Sequence, residues 1–197
     1  MSSWWIYNWH RDYNPALGRY VQSDPIGLNG GINPYAYTAG QPIGAIDWFG
    51  LDIIVVTGGQ NNGSMNVFGH SAVGLPGDGM VSSGGGMPTG TSASDYLLGE
   101  GTHRNQQVTI IPTKPAQDAA ARAYLLNHPD NWNVLNNCAV RSNQILEAAG
   151  VPVSGIPFPG GLARNVASLP GAQTWVIPEG APIPAALASQ LSQFKKP

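Results

Sequence analysis

Asp52-Ile53-Ile54-Val55-Val56-Thr57 is the stretch on which the fold turns. Successive β-branched side chains crowd a helix and suit a pleated surface, so this run reads as a buried strand. Downstream, Gly69-His70-Ser71-Ala72-Val73-Gly74-Leu75 reads as a second strand, and a third includes Met80-Val81-Ser82-Ser83. Gln107-Val108-Thr109-Ile110-Ile111 is a fourth, and the glycine-rich stretch from Ser83 to Thr91 reads as a loop. A helix is predicted over Pro115 to Asn127, with Thr113 as its cap and Pro115 in the first turn, where a missing N–H costs nothing. A second helix opens at Asn136 or Asn137 and runs through Ala149, ended by Gly150 with Pro152 close behind. Residues 151–180 are rich in proline and glycine, with a short strand at Thr174-Trp175-Val176-Ile177, and Pro184 to Phe194 form a last short helix. Strands first and helices after is the order of an α+β domain.

Upstream of Asp52 the composition changes. Residues 1–51 are aromatic and full of turn signals, among them Asn14-Pro15, Leu17-Gly18, Asp24-Pro25, Asn29-Gly30-Gly31 and Asn33-Pro34. Short strands joined by tight turns are expected there. The chain therefore divides into a β-rich segment, 1–51, and a separate domain, 52–197.

Bulk composition narrows the function. Of the 197 residues 42% are hydrophobic, enough for a real core, and only 10% are charged, against roughly 25% in an average soluble protein. The formal net charge is −2 and no basic run occurs, which argues against nucleic acid as a partner, since that binding relies on clustered Lys and Arg. A single cysteine, Cys138, rules out an internal disulfide. Neither a signal-peptide pattern at Met1-Ser2-Ser3-Trp4-Trp5-Ile6 nor an apolar run of membrane-spanning length is present, so no membrane insertion is expected. The histidines are scattered without metal-ligand spacing, and Gly84-Gly85-Gly86 lacks the Lys-Ser or Lys-Thr of a phosphate loop. No cofactor is expected.

The segment Tyr7-Asn8-Trp9-His10-Arg11-Asp12-Tyr13-Asn14-Pro15-Ala16-Leu17-Gly18-Arg19-Tyr20, then Ser23-Asp24-Pro25-Ile26-Gly27-Leu28 and Asn33-Pro34-Tyr35-Ala36-Tyr37, resembles the Rhs-associated core that closes Rhs/YD-repeat polymorphic toxins. In that family the repeats enclose a variable C-terminal toxin, and an Asp-Pro-x-Gly-Leu motif marks the junction where the chain cleaves itself. The resemblance implies Asp24 and Asp47 as an aspartyl-protease-like pair and Leu51–Asp52 as the scissile bond. The second motif departs from the pattern: it reads Asp47-Trp48-Phe49-Gly50-Leu51, with Trp in place of Pro. Without the rest of the enclosing repeats, the simpler reading of both aspartates is as turn residues. The resemblance also implies delivery by a type VI or similar secretion system and a cognate immunity protein that covers the active cleft.

Within the second domain, Cys138 stands in Asn136-Asn137-Cys138-Ala139-Val140-Arg141-Ser142, where a helix should begin. Free N–H groups and the helix dipole favour a thiolate there, and Arg141 is placed to add positive charge one turn on. Imidazole is the usual base for a thiol, and His70, early in a strand among small residues, is placed for its ring to face a helix terminus packed across the sheet. Taken singly, each also reads as a core residue: a lone cysteine is a small hydrophobe, and a lone strand histidine is commonly a satisfied one. Gly-His-x-Ala-Val-Gly on a strand followed by Asn-Asn-Cys opening a helix resembles circularly permuted papain-like hydrolases, the permuted NlpC-type peptidases and lecithin–retinol acyltransferase-like proteins. That resemblance implies a permuted papain-like antiparallel sheet with packed helices, Cys138 as nucleophile and His70 as base. It also implies an orienting group about a dozen residues after the histidine, where Ser82 falls, with Ser83 beside it. Neither is the His, Asn or Gln the family carries there. His103, in a loop, is a further candidate; His10 belongs to the Rhs motif and His128 to a helix end.

The expected activity is that of an antibacterial effector with a Cys–His hydrolase: an amidase or peptidase, with peptidoglycan peptides as one substrate class. Deamidation, transglutamination and acyl transfer use the same pair. An unrelated toxin enzyme (an ADP-ribosyltransferase or a nuclease) and a non-enzymatic binding module are the other classes left open.

Overall fold

The computed structural model describes residues 6–8, 11–23, 33, 35, 52–59, 69–84, 87–130, 137–155 and 157–196. The first segment forms a three-stranded antiparallel meander of β1 (Ile6–Asn8), β2 (Arg11–Asn14) and β3 (Arg19–Tyr20). Its turn is set by Asn14, whose Oδ1 accepts the Ala16 N–H at 2.9 Å, and by Gly18 at φ +64°. The Arg11 guanidinium lies 3.7 Å over the buried Tyr20 ring.

From Asp52 onward the chain is α+β. Its five-stranded sheet has the order β6-β5-β4-β7-β8, every neighbouring pair antiparallel. The strands are β4 (Asp52–Gly58), β5 (His70–Leu75), β6 (Gly79–Val81), β7 (Gln106–Pro112) and β8 (Gln173–Ile177). The helices are α1 (Ala93–Gly101), α2 (Pro115–Asn127), α3 (Cys138–Ala148), α4 (Pro159–Ala167) and α5 (Ala185–Ala188), followed by a 3-10 turn at Leu191–Gln193.

The β-branched run is the central strand, covered on both faces, which is why it shows no polar alternation. Ile53 and Val55 point into a core shared with Val73, Leu75, Ala121, Ile145, Leu146, Leu162 and Val166, from α2, α3 and α4. Ile54 and Val56 point the other way, into a core with Ala72, Met80, Tyr96, Leu97, Leu187, Leu191 and Phe194, from α1 and the C-terminal segment. Each fully buried aliphatic side chain contributes roughly 1.5–3 kcal/mol, so the two faces of this one strand tie both helical layers to the sheet.

The order of elements departs from the expectation of strands first and helices after. α1 stands between β6 and β7, and β8 follows four helices. Helix α1 went unread because its weak apolar stripe follows a glycine-rich loop. Its start is nonetheless written in Ser92-Ala93-Ser94-Asp95: the Ser92 hydroxyl accepts the Asp95 N–H at 3.1 Å and donates to the Asp95 carboxylate at 2.6 Å. Helix α4 lies in the stretch read as proline and glycine, with Pro159 in its first turn and Leu162 and Val166 buried. Thr113 is not the cap of α2. Lys114 takes that position, its N–H received by Gln117 Oε1 at 3.0 Å, while the Thr113 hydroxyl donates to Asp118 Oδ1 at 2.5 Å. The last helix expected over 184–194 is broken into α5 and the 3-10 turn.

Candidate functional site

His70 opens β5. Gly69 leads into it at φ +82°, and a β-carbon at that glycine would strike the Gly58 carbonyl oxygen, so only glycine fits this approach. Gly58 pairs with His70 across the β4–β5 ladder, and a β-carbon on Gly58 would meet the Arg104 side chain. The imidazole is 4% exposed, and its Nε2 lies 2.6 Å from Ser82 Oγ, just past the end of β6. Burial, and secondly the positive charge of Arg104, lower its pKa from 6.5 to about 4. The ring is therefore neutral at pH 7, with a lone pair available on one nitrogen.

Beside this pair stands the phenol of Tyr96, a buried residue of α1. Burial and, after it, the Glu100 carboxylate one helical turn on hold that phenol firmly protonated. Glu100 Oε2 stands 3.1 Å from Arg104 Nε, and Arg104 Nη1 donates to the Gly59 carbonyl at 3.4 Å. Tyr96, Glu100 and Arg104 follow one another at intervals of four. The sequence reading missed all three, because their common side becomes visible only once α1 is recognised.

Cys138 is the first residue of α3 and is buried. Asn137 caps the helix, its Oδ1 accepting the Ala139 and Val140 N–H groups at 3.0 and 3.1 Å. The Cys138 N–H is not among those Asn137 takes. Ser142, one turn further along α3, shares a buried 3.1 Å hydrogen bond with Ser71 of β5. Ile145 and Leu146 belong to the same core as Val73 and Leu75. Cys138 thus opens the helix that bonds Ser71, the residue after His70. A thiolate at Cys138 would raise the pKa of the Tyr96 phenol.

The placement of His70 corrects one expectation. Side chains alternate along a strand, and Ser71 is the residue that faces α3, so His70 projects to the opposite face, beside Tyr96 and Arg104. The ring does not look across the sheet at the helix; ring and thiol share only the end of the sheet. Arg141 is likewise placed differently: its guanidinium donates to the His128 carbonyl and lies 5.3 Å over the Tyr124 ring, toward the end of α2. His128 stacks on Tyr124 with its Nδ1 2.9 Å from the Tyr124 carbonyl oxygen, a helix-end role as expected. Ser83 is turned away from His70 and donates to Asp130 Oδ1 at 2.7 Å. His103 is exposed in the turn after α1. Asp24, Asp47, Leu51 and His10 lie outside the described residues.

Among the described residues no group of three or more His, Cys, Asp or Glu is placed to hold a metal ion, and no helix is long and apolar enough to cross a membrane.

No family model matches the chain. No solved structure matches it either. Among curated proteins, a 50-residue stretch is 52% identical to the toxin protein Tse5 of Pseudomonas aeruginosa, covering 25% of this chain and 4% of that toxin. A 45-residue stretch is 53% identical to the double-stranded DNA deaminase toxin A of Burkholderia cenocepacia, covering 23% of this chain and 3% of that protein. The likeness thus takes in about a quarter of the chain and only a few per cent of either relative.

Proposed function

We propose that the chain is the C-terminal part of a secreted antibacterial toxin of the Rhs type, and that residues 52–197 are its effector, a Cys–His hydrolase acting on amide bonds. Two observations support the toxin reading. The relatives that match are named as toxins, and the matched length of 45–50 residues is that of the segment in which the Rhs resemblance was read. Delivery into a target cell and a cognate immunity protein follow from this reading.

The observation that supports the hydrolase reading is the buried His70–Ser82 hydrogen bond, with Cys138 at the capped start of the helix that bonds the residue after His70. With Ser82 on Nε2, the nitrogen left to address a thiol is Nδ1. Because the ring is neutral at pH 7, the reaction is general-base assisted. The mechanism requires thiol and ring to meet around the end of the sheet, so that as the Cys138 sulfur attacks the substrate carbonyl carbon its proton passes to His70. The tetrahedral oxyanion is received by the Cys138 N–H, and collapse expels the amine, which takes the proton back from His70. The resulting thioester is hydrolysed when water, deprotonated by His70, attacks the same carbonyl and the thiol leaves. Amides of peptidoglycan peptides are the first substrate class to examine. Deamidation or acyl transfer would differ only in the donor and acceptor admitted.

The test is expression of the chain in a bacterium, directed in turn to the cytoplasm and the periplasm, as wild type, Cys138→Ala and His70→Ala. Toxicity lost in both variants, with folding verified by circular dichroism, is the expected result, and the sensitive compartment identifies the substrate class. Undiminished killing by either folded variant removes the Cys–His mechanism.

A further inference from the structure

The nucleophile that His70 touches is a hydroxyl. Its Nε2 lies 2.6 Å from Ser82 Oγ, within the reach at which a base takes a proton from a nucleophile. Cys138 opens a helix on the other face of β5. The β5–β6 hairpin sets up the pair of His70 and Ser82. Val73 stands opposite Val81, so the same register carried one residue past β6 puts Ser82 opposite Ala72. Side chains alternate along a strand, so Ala72, His70 and Ser82 share one face. Ser83 points the other way and donates to Asp130 Oδ1 at 2.7 Å, which ties down the backbone that carries Ser82.

Arg104 stands on that face too. Gly58 pairs directly with His70, and a β-carbon on Gly58 would come within 2.3 Å of Arg104 Cδ, so the Arg104 stem runs beside the ring. A positive charge there disfavours the imidazolium and leaves a lone pair on the ring. Among the described residues no carboxylate bonds the imidazole, and that of Glu100 lies 3.1 Å from Arg104 Nε. A histidine without an acidic partner is a weaker base than that of a Ser-His-Asp triad. It can open an activated carbonyl, an ester or thioester, whose leaving group departs more readily than an amine. Ser82 is 8% exposed and His70 4%, which admits only small acyl groups.

We infer that Ser82 and His70 form a nucleophilic dyad of their own, on the α1 face of the sheet, that cleaves small ester or thioester donors. As Ser82 Oγ bonds to the carbonyl carbon of the donor, its proton passes to His70 Nε2. Collapse of the tetrahedral adduct breaks the bond to the leaving alcohol or thiol, which takes that proton and leaves an acyl-serine. Water then attacks the acyl carbon and gives a proton to Nε2. Ser82 departs with that proton, and a carboxylic acid is released. The inference goes beyond the Cys138 mechanism and does not rest on it, since there the ring offers Nδ1 and here Nε2.

The experiment treats the full chain at pH 7 with diisopropyl fluorophosphate and locates the adduct by peptide mass spectrometry. The expected result is a phosphoryl group on Ser82, fluoride released, with hydrolysis of p-nitrophenyl acetate falling in step. His70→Gln, its folding verified by circular dichroism, should slow the labelling by roughly a hundredfold or more, the usual contribution of a general base. Wild type in denaturing urea, where strand and hairpin no longer hold the pair together, should lose the labelling to a similar degree. No adduct on Ser82 overturns the proposal, as does a rate unchanged in folded His70→Gln or in urea. Failure of the Cys–His reading shows separately, as toxicity surviving Cys138→Ala.

Discussion

Ser71 and Ser142 meet in a buried 3.1 Å hydrogen bond between β5 and α3, and this pair fixes where the second turn of α3 stands against the sheet. It also sorts the two neighbours in sequence, Ser71 toward the helix and His70 toward α1. Truncating either serine leaves the other hydroxyl buried and unpaired, at about 1–3 kcal/mol. Ser71→Ala and Ser142→Ala are each expected to lower stability by that order in urea titrations. The double variant is expected to cost less than their sum, since no orphan remains. Strict additivity would mean that the bond does not couple strand and helix.

Asn137 holds the first turn of α3 through two accepted N–H groups. Asn137→Ala is expected to destabilise the protein by about 1 kcal/mol, whereas Asn137→Ser or Asn137→Asp, which can still accept, should recover most of it. Alkylation of Cys138 by iodoacetamide should quicken in Asn137→Ala as the turn frays and exposes the thiol. An unchanged rate would show that the cap does not shelter it.

Gly69→Ala should be among the most damaging small substitutions in the domain. The new methyl group meets the Gly58 carbonyl, and the backbone there sits at φ +82°. Strain of this kind costs on the order of 1–3 kcal/mol, and it is applied at the residue before His70. Thermal unfolding is expected to fall by several degrees. Retention of full stability would mean that the strand start can shift without loss.

Two buried groups titrate in opposite directions, which gives the pH dependence a recognisable shape. His70 is lowered from 6.5 to about 4 by burial and by Arg104, so between those values the unfolded chain binds a proton that the folded chain refuses. Its contribution therefore falls as pH drops from 6.5 to about 4, by on the order of 3 kcal/mol. Asp118 is raised from 3.8 to about 6, chiefly by burial and with the Thr113 hydrogen bond opposing. It keeps its proton when folded, so its contribution is lost as pH rises through the same window. The wild type should be nearly flat from pH 4 to 6. Asp118→Asn should expose the His70 slope, stability rising with pH, and His70→Gln the reverse slope. A flat profile in both variants would show that neither group is perturbed.

Much of this architecture was legible in the chain. The five β-branched residues from Ile53 to Thr57 favour a strand, and Asn137 with Gly150 brackets α3 because caps are read locally. Ser82 came into view beside His70 only through the family resemblance; the 2.6 Å hydrogen bond between them follows from the short β5–β6 hairpin, which leaves little freedom in how the two residues align. Helices α1 and α4 were missed, because Gly99, Gly160 and Gly161 mask helices that tertiary packing stabilises. Which face His70 takes, and the company of Tyr96, Glu100 and Arg104, follow from register and from the layer α1 occupies. The sequence by itself therefore determined the strands and the capped helix of Cys138, both properties of neighbours along the chain. Only the tertiary structure decided that ring and helix lie on opposite faces of β5, because a strand's two sides are assigned by what packs on them.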